Sequence, residues 1–427
     1  MTNRKRLWTI FGPVILAGLL VIGFICLPWS GHHSDLAKRQ AAVSLSPLVM
    51  KNVSIKTQVL AKSQHPEYVP FFGSSEFRRM DQFHPAVMAA RYHHYRPFMF
   101  GSRGTQSLPQ LFNMVGMAKE MNHGKAVFII SPQWFVKTGV LPVAFKFYNG
   151  AYANLIWLNQ ANPASRYDRY TAKRLLQLIG SNGIVGLAAR KIAAGETLSG
   201  WDKFQIQSRM QLLAQEDRLF SGIDASHNYE NKIKPKIKLL PKQYNYQKLI
   251  REAKHDAKAQ TTNNRFGIYN KFYASIVKNA KKRLAGSQSH FSYLQSPEYS
   301  DFEAVLDQFR KTNTNVMFVI TPVNEKWEKY TGLSLNMYEQ ATAKIKYQLQ
   351  SQGFNHITDF SNMGNRPGFM QDTIHIGWAG WVDFDRKVAP FLDQPQPTPQ
   401  YHLQSKFLSR KWQQLKPTAK NLAEFDK

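Results

Sequence analysis

The apolar residues of this chain fall into two kinds of run. One is long: Leu7–Leu27 (LWTIFGPVILAGLLVIGFICL) holds 21 residues without a charge. At ~1.5 Å per residue a helix of that length covers roughly 30 Å, the hydrocarbon thickness of a bilayer. The others are short: Tyr68–Phe72 (YVPFF), Pro97–Phe100 (PFMF), Ala126–Ser131 (AVFIIS), Asn315–Thr321 (NVMFVIT) and His356–Phe360 (HITDF). Runs of this length, rich in β-branched and aromatic residues, predict buried strands. Helical spacing of apolar residues over Leu108–Met121, Asp301–Phe309 and Leu335–Leu349 predicts helices between several of them. Strand and helix in alternation predict a parallel sheet covered by helices. Pro70 argues against the first of these strands, because proline suits a strand start better than a central ladder.

More than 180 residues separate the third and fourth runs. This interval shows no strand alternation. Helical patterns occupy Ala151–Asn159, Tyr167–Ile179, Trp201–Phe220, Tyr246–Ala259 and Phe266–Leu284. The expectation is an α/β domain over residues 67–392 carrying a helical insertion at about 135–314. Residues 1–6 precede the long apolar run at 7–27, residues 28–66 read as a polar spacer, and 393–427 as a polar tail with a basic amphipathic helix. Within the insertion, NKIKPKIKLLPKQ carries Lys232, Lys234, Lys236, Lys238 and Lys242. Lysines alternating with apolar residues around two prolines read as an extended arm that is either a solvated loop or a contact for lipid or an anionic polymer.

Charge changes the picture. Lys and Arg number 56 against 28 Asp and Glu, a formal charge of +28 over 427 residues. At 43% hydrophobic residues the chain has ample material for a core, which excludes a disordered polyelectrolyte. The charge predicts a polyanionic partner. Arg4, Lys5 and Arg6 precede the apolar run, and the next basic residue is Lys38. By the positive-inside rule the N-terminus is cytoplasmic and everything after Leu27 lies outside. The run exceeds the ~7–15 apolar residues of a signal peptide, and no A-x-A cleavage pattern follows it. An uncleaved single-pass anchor is therefore expected. Taking away the three N-terminal cations leaves +25 outside the cell, where nucleic acid is not the expected partner and anionic lipid or wall polymers are. The single cysteine, Cys26, excludes an intrachain disulfide framework and a cysteine-cluster metal site, and its absence from the exported part fits a bacterial surface. The adjacent pairs His32-His33 and His93-His94 do not have metal-ligand spacing. No cofactor fingerprint is present.

Two segments carry candidate chemistry. VPFFGSSEFRRM puts Gly73-Ser74-Ser75-Glu76 directly after the first strand. A glycine followed by hydroxyl residues there allows a tight turn that presents a serine Oγ at the sheet's carboxyl edge, where open α/β sheets bind ligands. By itself the tetrapeptide reads equally as a turn with a serine N-cap. Near the other end, QDTIHIGWAGW places Asp372 three residues before His375. A serine nucleophile needs a base, and that base needs a partner to fix its tautomer. Alone, this pair also reads as a capping aspartate and a packed histidine.

Taken together, a serine after the first strand and Asp-x-x-His after the last resemble the SGNH/GDSL hydrolase superfamily. The match to its first block makes Ser75 the nucleophile, and Asp372 and His375 match its last block. Ser74 and Glu76 depart from Gly-Asp-Ser-Leu, and the Gly-x-Asn-Asp block is missing. The more specific resemblance covers nearly the whole chain. The anchor, FGSSEF, SPQWF at Ser131–Phe135 and DTIHIGWAGW resemble the DltD family of D-alanyl-lipoteichoic acid biosynthesis proteins. It implies a Gram-positive, single-pass membrane protein with an SGNH-like (flavodoxin-like) extracellular domain. It also implies D-alanine ester transfer or hydrolysis through a Ser-His-Asp triad and an acyl-enzyme. The implied partners are a glycerol-phosphate polymer, an MBOAT-type membrane acyltransferase and a D-alanyl carrier protein. Gly104, after the second strand, matches the location of the superfamily's second block, and Gln133 the approximate place of the missing Asn. Both are candidate oxyanion donors beside the Ser75 amide, and both also read as ordinary loop residues. Other readings are a non-catalytic scaffold for those partners and an acetyltransferase of another surface glycan. Composition and spacing do not specify D-alanine.

Overall fold

The computed structural model describes residues 3–27, 33–63, 66–222 and 226–426. Its centre is one five-stranded parallel sheet: β1 (Glu67–Phe72), β2 (Tyr95–Phe100), β3 (Lys125–Ile130), β4 (Asn315–Ile320) and β5 (Ile357–Asp359), in the order β2-β1-β3-β4-β5. Each strand falls on one of the five short apolar runs. Both faces of the sheet are buried, as expected of parallel strands under crossover helices. Phe72, Phe128 and Phe318 face one core, with Phe309 and Phe302 from the Glu298–Lys311 helix edge-on to them. Phe71, Val127 and Val319 face the other, against Trp381 and Phe384 of the Trp378–Asp393 helix. Pro70 is tolerated inside the sheet because of register: β3 pairs with β1 only at Phe71 and Phe72, so proline's missing N–H leaves no partner on that side.

Between β3 and β4 the described residues form helices and loops, among them Pro142–Tyr148, Ala151–Gln160, Arg166–Ile179, Gly183–Ala194, Gly200–Leu219 and Tyr246–Gln260. Several segments differ from expectation; the helix expected over Leu108–Met121 is two, Ser107–Val115 and Ala118–Met121. The single helix expected over Phe266–Leu284 is broken into Asn270–Phe272, a π-turn at Tyr273–Val277 and Lys281–Leu284. The 28–66 segment is not a spacer. It holds helices Asp35–Ala42, Pro47–Lys51 and Val53–Val59, whose Ala41, Met50, Ile55 and Val59 are buried in the main core. The 393–427 segment is no free tail: Phe407, Trp412 and Phe425 pack into the same core, and Lys344 pins it by donating to the carbonyls of Leu294 and Leu415 at 2.8 and 2.9 Å.

The long apolar run forms the N-terminal helix Asn3–Cys26, from which Trp8, Ile10, Val14, Leu16 and Leu20 project exposed. Among the described residues no helix is long and apolar enough to cross a membrane; the side chains of Ile22 and Phe24–Cys26 lie outside the description, as does His32.

Candidate active site

The strand order fixes where a site can form. Winding reverses between β2 and β3, so the crevice at the carboxyl ends of β1 and β3 is the switch point of the sheet. Gly73, just past β1, donates its N–H to Phe100 O at 3.0 Å, and its own carbonyl accepts from the buried Gln110 amide at 2.7 Å. Gly101 passes so near this turn that an added Cβ would lie 2.7 Å from the Ser74 carbonyl oxygen; only glycine fits. Ser74 turns inward, donating its hydroxyl to Ser102 O at 3.0 Å and its N–H to the buried Glu76 carboxylate at 2.6 Å. Burial pushes the Glu76 carboxyl up, and nearby His375 works against that. With Ser74 so occupied, Ser75 opens the short turn Ser75–Arg78 and is left half-exposed.

The second half of the site comes from 300 residues away. After β5 the chain closes a small loop through an antiparallel bridge between Met370 and Ile376 and a Gln371 N–H to His375 O bond of 2.8 Å. Inside the loop, the Asp372 carboxylate accepts from the backbone N–H of Ile374 and His375, each at 2.9 Å. It also lies 2.8 Å from His375 Nδ1. His375 Nε2 is 2.7 Å from Ser75 Oγ. An Nδ1–H donated to Asp372 leaves Nε2 with the lone pair that can accept the serine proton.

The electrostatics follow from burial and partners. Burial opposes the Asp372 charge, but His375, Arg79 and the Ile374 N–H outweigh it and hold the carboxyl at about 2. Burial likewise disfavours the imidazolium of His375, yet Asp372 draws its pKa above the ordinary histidine value. The carboxylate is thus ionised at neutral pH and the histidine is a strengthened base.

Three further residues support the site, two of which, Glu76 and Arg79, read from the sequence as a local ion pair or a substrate contact. Arg79 bonds Asp372 Oδ2 through Nε at 2.7 Å and a second guanidinium nitrogen at 2.6 Å, while lying over the Phe272 ring. Arg79 lies near Glu76 in sequence, but its partner is Asp372. Asp81 accepts from the N–H of Trp378 at 2.7 Å and of Phe83 at 2.8 Å, fixing the far end of the histidine loop, where Trp378 has φ +30°. Burial pushes Asp81 up to about 7 against those bonds. Glu76 is the third, through its bond to Ser74. Arg79 and Asp81 meet the histidine loop across nearly 300 residues and leave no local pattern, whereas Glu76 acts on Ser74 within the same turn.

The structure brings Ser75, His375 and Asp372 together. It does not hydrogen-bond Gly104 or Gln133 to Ser75. Gly104 sits at φ +83° in the turn after β2. Gln133 lies in the short turn after β3, across the switch point, and its side-chain nitrogen is buried without a partner among the described residues. The lysine-rich segment is corrected: Tyr229–Ile237 is helical, a π-turn running into an α-turn, because Pro235 stands at the start of the latter, where proline is accommodated. Lys232, Lys234, Lys238 and Lys242 are exposed, whereas Lys236 is half-buried and donates to Met80 O. A polar cavity of about 400 Å³ beside the histidine loop is lined by Arg78, Arg79, Lys236, Gln371 and Trp378. Among the described residues no cluster of three His, Cys, Asp or Glu could hold a metal ion.

Comparison with known proteins gives a single answer. The family model described as "DltD protein" matches residues 42–393. A protein of Lacticaseibacillus rhamnosus named "Protein DltD" is 41% identical over 96% of this chain and 97% of its own length. The protein of that name from Bacillus subtilis (strain 168) is 31% identical over 89% of this chain and 96% of its own. That of Staphylococcus aureus (strain NCTC 8325 / PS 47) is 24% identical over 91% and 97%.

Proposed function

The chain belongs to the DltD family, and from that premise we propose that it is a serine O-acyltransferase or esterase acting in D-alanylation of lipoteichoic acid. The observation that carries the reading is the continuous relay from Ser75 Oγ through His375 to Asp372, at 2.7 and 2.8 Å. The strand order 2-1-3-4-5, shared with flavodoxin-like folds, supports an SGNH-like architecture.

In this mechanism Ser75 Oγ attacks the carbonyl carbon of a D-alanyl ester or thioester, and its proton passes to His375 Nε2. Collapse of the tetrahedral adduct breaks the bond to the leaving oxygen or sulfur, which takes that proton. The D-alanyl group remains on Ser75. A polymer hydroxyl then gives its proton to Nε2 and attacks the acyl carbon, and collapse of that adduct expels Ser75 Oγ, which takes the proton back from Nε2; water in place of the hydroxyl gives hydrolysis. The Ser75 N–H and the unpartnered Gln133 amide are the oxyanion donors in this reading, with Gly104 at the adjacent turn. Glycerol-phosphate polymer is the acceptor, an MBOAT-type acyltransferase and a D-alanyl carrier protein the partners. The membrane anchor in this reading is the 21-residue uncharged run Leu7–Leu27, which includes side chains outside those described for the Asn3–Cys26 helix; the exposed apolar side chains from Trp8 to Leu20 support that placement, with the α/β domain extracellular. Labelling with a fluorophosphonate serine probe tests the proposal. Ser75→Ala must abolish labelling and polymer alanylation while retaining the fold; full labelling of that variant rules the mechanism out.

A further inference from the structure

The helix Pro142–Tyr148 turns one face into the core through Phe145 and Tyr148 and the other to solvent. On the outer face Val143 and Phe147 are 74% and 55% exposed, beside Leu141. Nothing polar interrupts this face except Lys146. Apolar exposure continues onto the next elements. Lys51 Nζ lies over the Phe147 ring at 5.9 Å, and Lys51 shares with Leu48, Gly150 and Phe220 the rim of an open apolar cavity of about 430 Å³. Leu48 and Phe220 are themselves 58% and 52% exposed. A largely apolar patch therefore runs from Phe220 to Val143, bordered by Lys51 and Lys146 and, on the Phe220 side, by the exposed Glu216 and by Asp217, whose carboxylate is taken up by the N–H groups of Val53 and Ser54. Patches of this kind mark interaction sites.

The occupant follows from where the N-terminal helix ends. His33 Nε2 is 3.1 Å from Ser221 Oγ, next to Phe220. Six peptide units join Leu27 to His33, a reach of at most roughly 21 Å. The end of the Asn3–Cys26 helix is thus tethered within that reach of the patch's rim. We propose that the face formed by Val143, Phe147, Leu48 and Phe220 inserts into the lipid surface of an anionic bilayer, Lys51 and Lys146 meeting its headgroups. Apolar side chains with bordering lysines suit the headgroup–acyl boundary. The consequence reaches the active site. Ala144 packs beneath Gly104, whose added Cβ would lie 3.5 Å from it, and Tyr148 donates its hydroxyl to Arg103 O at 2.7 Å. The same helix that meets lipid holds the turn after β2, so the seated domain keeps the carboxyl edge of the sheet near the membrane.

The inference rests on the anchored reading above, and the test separates the two. In the full chain with Cys26→Ser, nitroxides are placed singly at Val143→Cys, Phe147→Cys, Leu16→Cys in the N-terminal helix and Lys258→Cys on the far helix. The protein is reconstituted in nanodiscs of phosphatidylglycerol and phosphatidylethanolamine. Relaxation by oxygen exceeding that by a water-soluble nickel chelate at 143 and 147, with the reverse at 258, is the expected result. Nickel preference at 143 and 147 with oxygen preference at 16 overturns the lipid contact and leaves the anchor. Nickel preference at all four overturns both. Oxygen preference at 143 and 147 but not at 16 keeps the contact and removes the anchor. Protection of 143 and 147 only in native membranes containing the acyltransferase assigns the face to a protein and overturns the proposal.

Discussion

Asp372→Asn is the substitution that separates a working relay from a merely packed one. The native carboxylate takes five donors: His375 Nδ1, the N–H groups of Ile374 and His375, and two nitrogens of Arg79. An asparagine oxygen can still accept the two backbone groups. Its NH2 then faces either Arg79 or His375 Nδ1, donor against donor. The stable escape is for the imidazole to move its proton to Nε2, which points a hydrogen at Ser75 Oγ and removes the base. In serine hydrolases this tautomer error costs about 10⁴ in rate, or roughly 5.5 kcal/mol at ~1.36 kcal/mol per decade. The same change has a stability cost. The fall of the Asp372 pKa from 3.8 to about 2 corresponds to roughly 2 kcal/mol of folding stability at neutral pH. Because the folded value lies below the unfolded one, that contribution is complete above about pH 4 and is lost as pH falls toward 2. The assay is the second-order rate of fluorophosphonate labelling of Ser75, with thermal melting on the same samples. Labelling about 10⁴ slower in a protein that still melts cooperatively is expected. Labelling within tenfold of wild type would refute the relay.

Other substitutions probe single elements. Arg79→Gln removes a cation that opposes protonation of His375, so the acidic limb of the pH–labelling profile should move upward, with a larger loss at pH 6 than at pH 8; Arg79→Lys should restore part of it. Gln133→Ala should lower turnover by about 10²–10³ if its amide meets the oxyanion, with little loss of melting temperature, because that nitrogen has no partner to lose. Reversing Lys232, Lys234, Lys238 and Lys242 to Glu should weaken capture of glycerol-phosphate polymer in a salt-dependent way while Ser75 labelling stays unchanged; unchanged polymer binding removes those lysines from the account.

The parts of this molecule that a reader can take from its sequence are those written locally. Each of the five strands coincides with a short apolar run, since strands covered by helices on both faces are apolar over most of their length; the edge strand Ile357–Asp359, half-buried, is the least apolar of them. Long periodic helices such as Leu335–Gln350 are equally plain. The Gly183–Ala194 helix goes unread because GIVG opens it with two poor helix formers, and tertiary packing of Ala188, Ala189 and Ile192 overrides that preference. Residues 28–66 pass for a spacer because three helices of five to eight residues are too short to show periodicity; their apolar sides are legible only against Phe112 and Trp157 in the same core. Proline and lysine in NKIKPKIK suggest an extended arm, whereas Ile233, buried on the Phe71 face of the sheet, draws the segment into a helical turn. At the site, Ser75, Asp372 and His375 are marked by turn and spacing. Arg79 and Asp81 act on residues almost 300 positions away, and no local pattern encodes such pairs.

The most direct measurement is the mass of the peptide containing Ser75. Membranes holding the protein and its D-alanylation partners are supplied with ATP and D-alanine, quenched in acid and digested. The account predicts one alanyl group on Ser75, enriched in His375→Ala if deacylation is slowed more than acylation, and absent in Ser75→Ala together with polymer alanylation. Alanylated polymer formed at the wild-type rate by Ser75→Ala, with no alanyl group on Ser75 in the native protein, would contradict it.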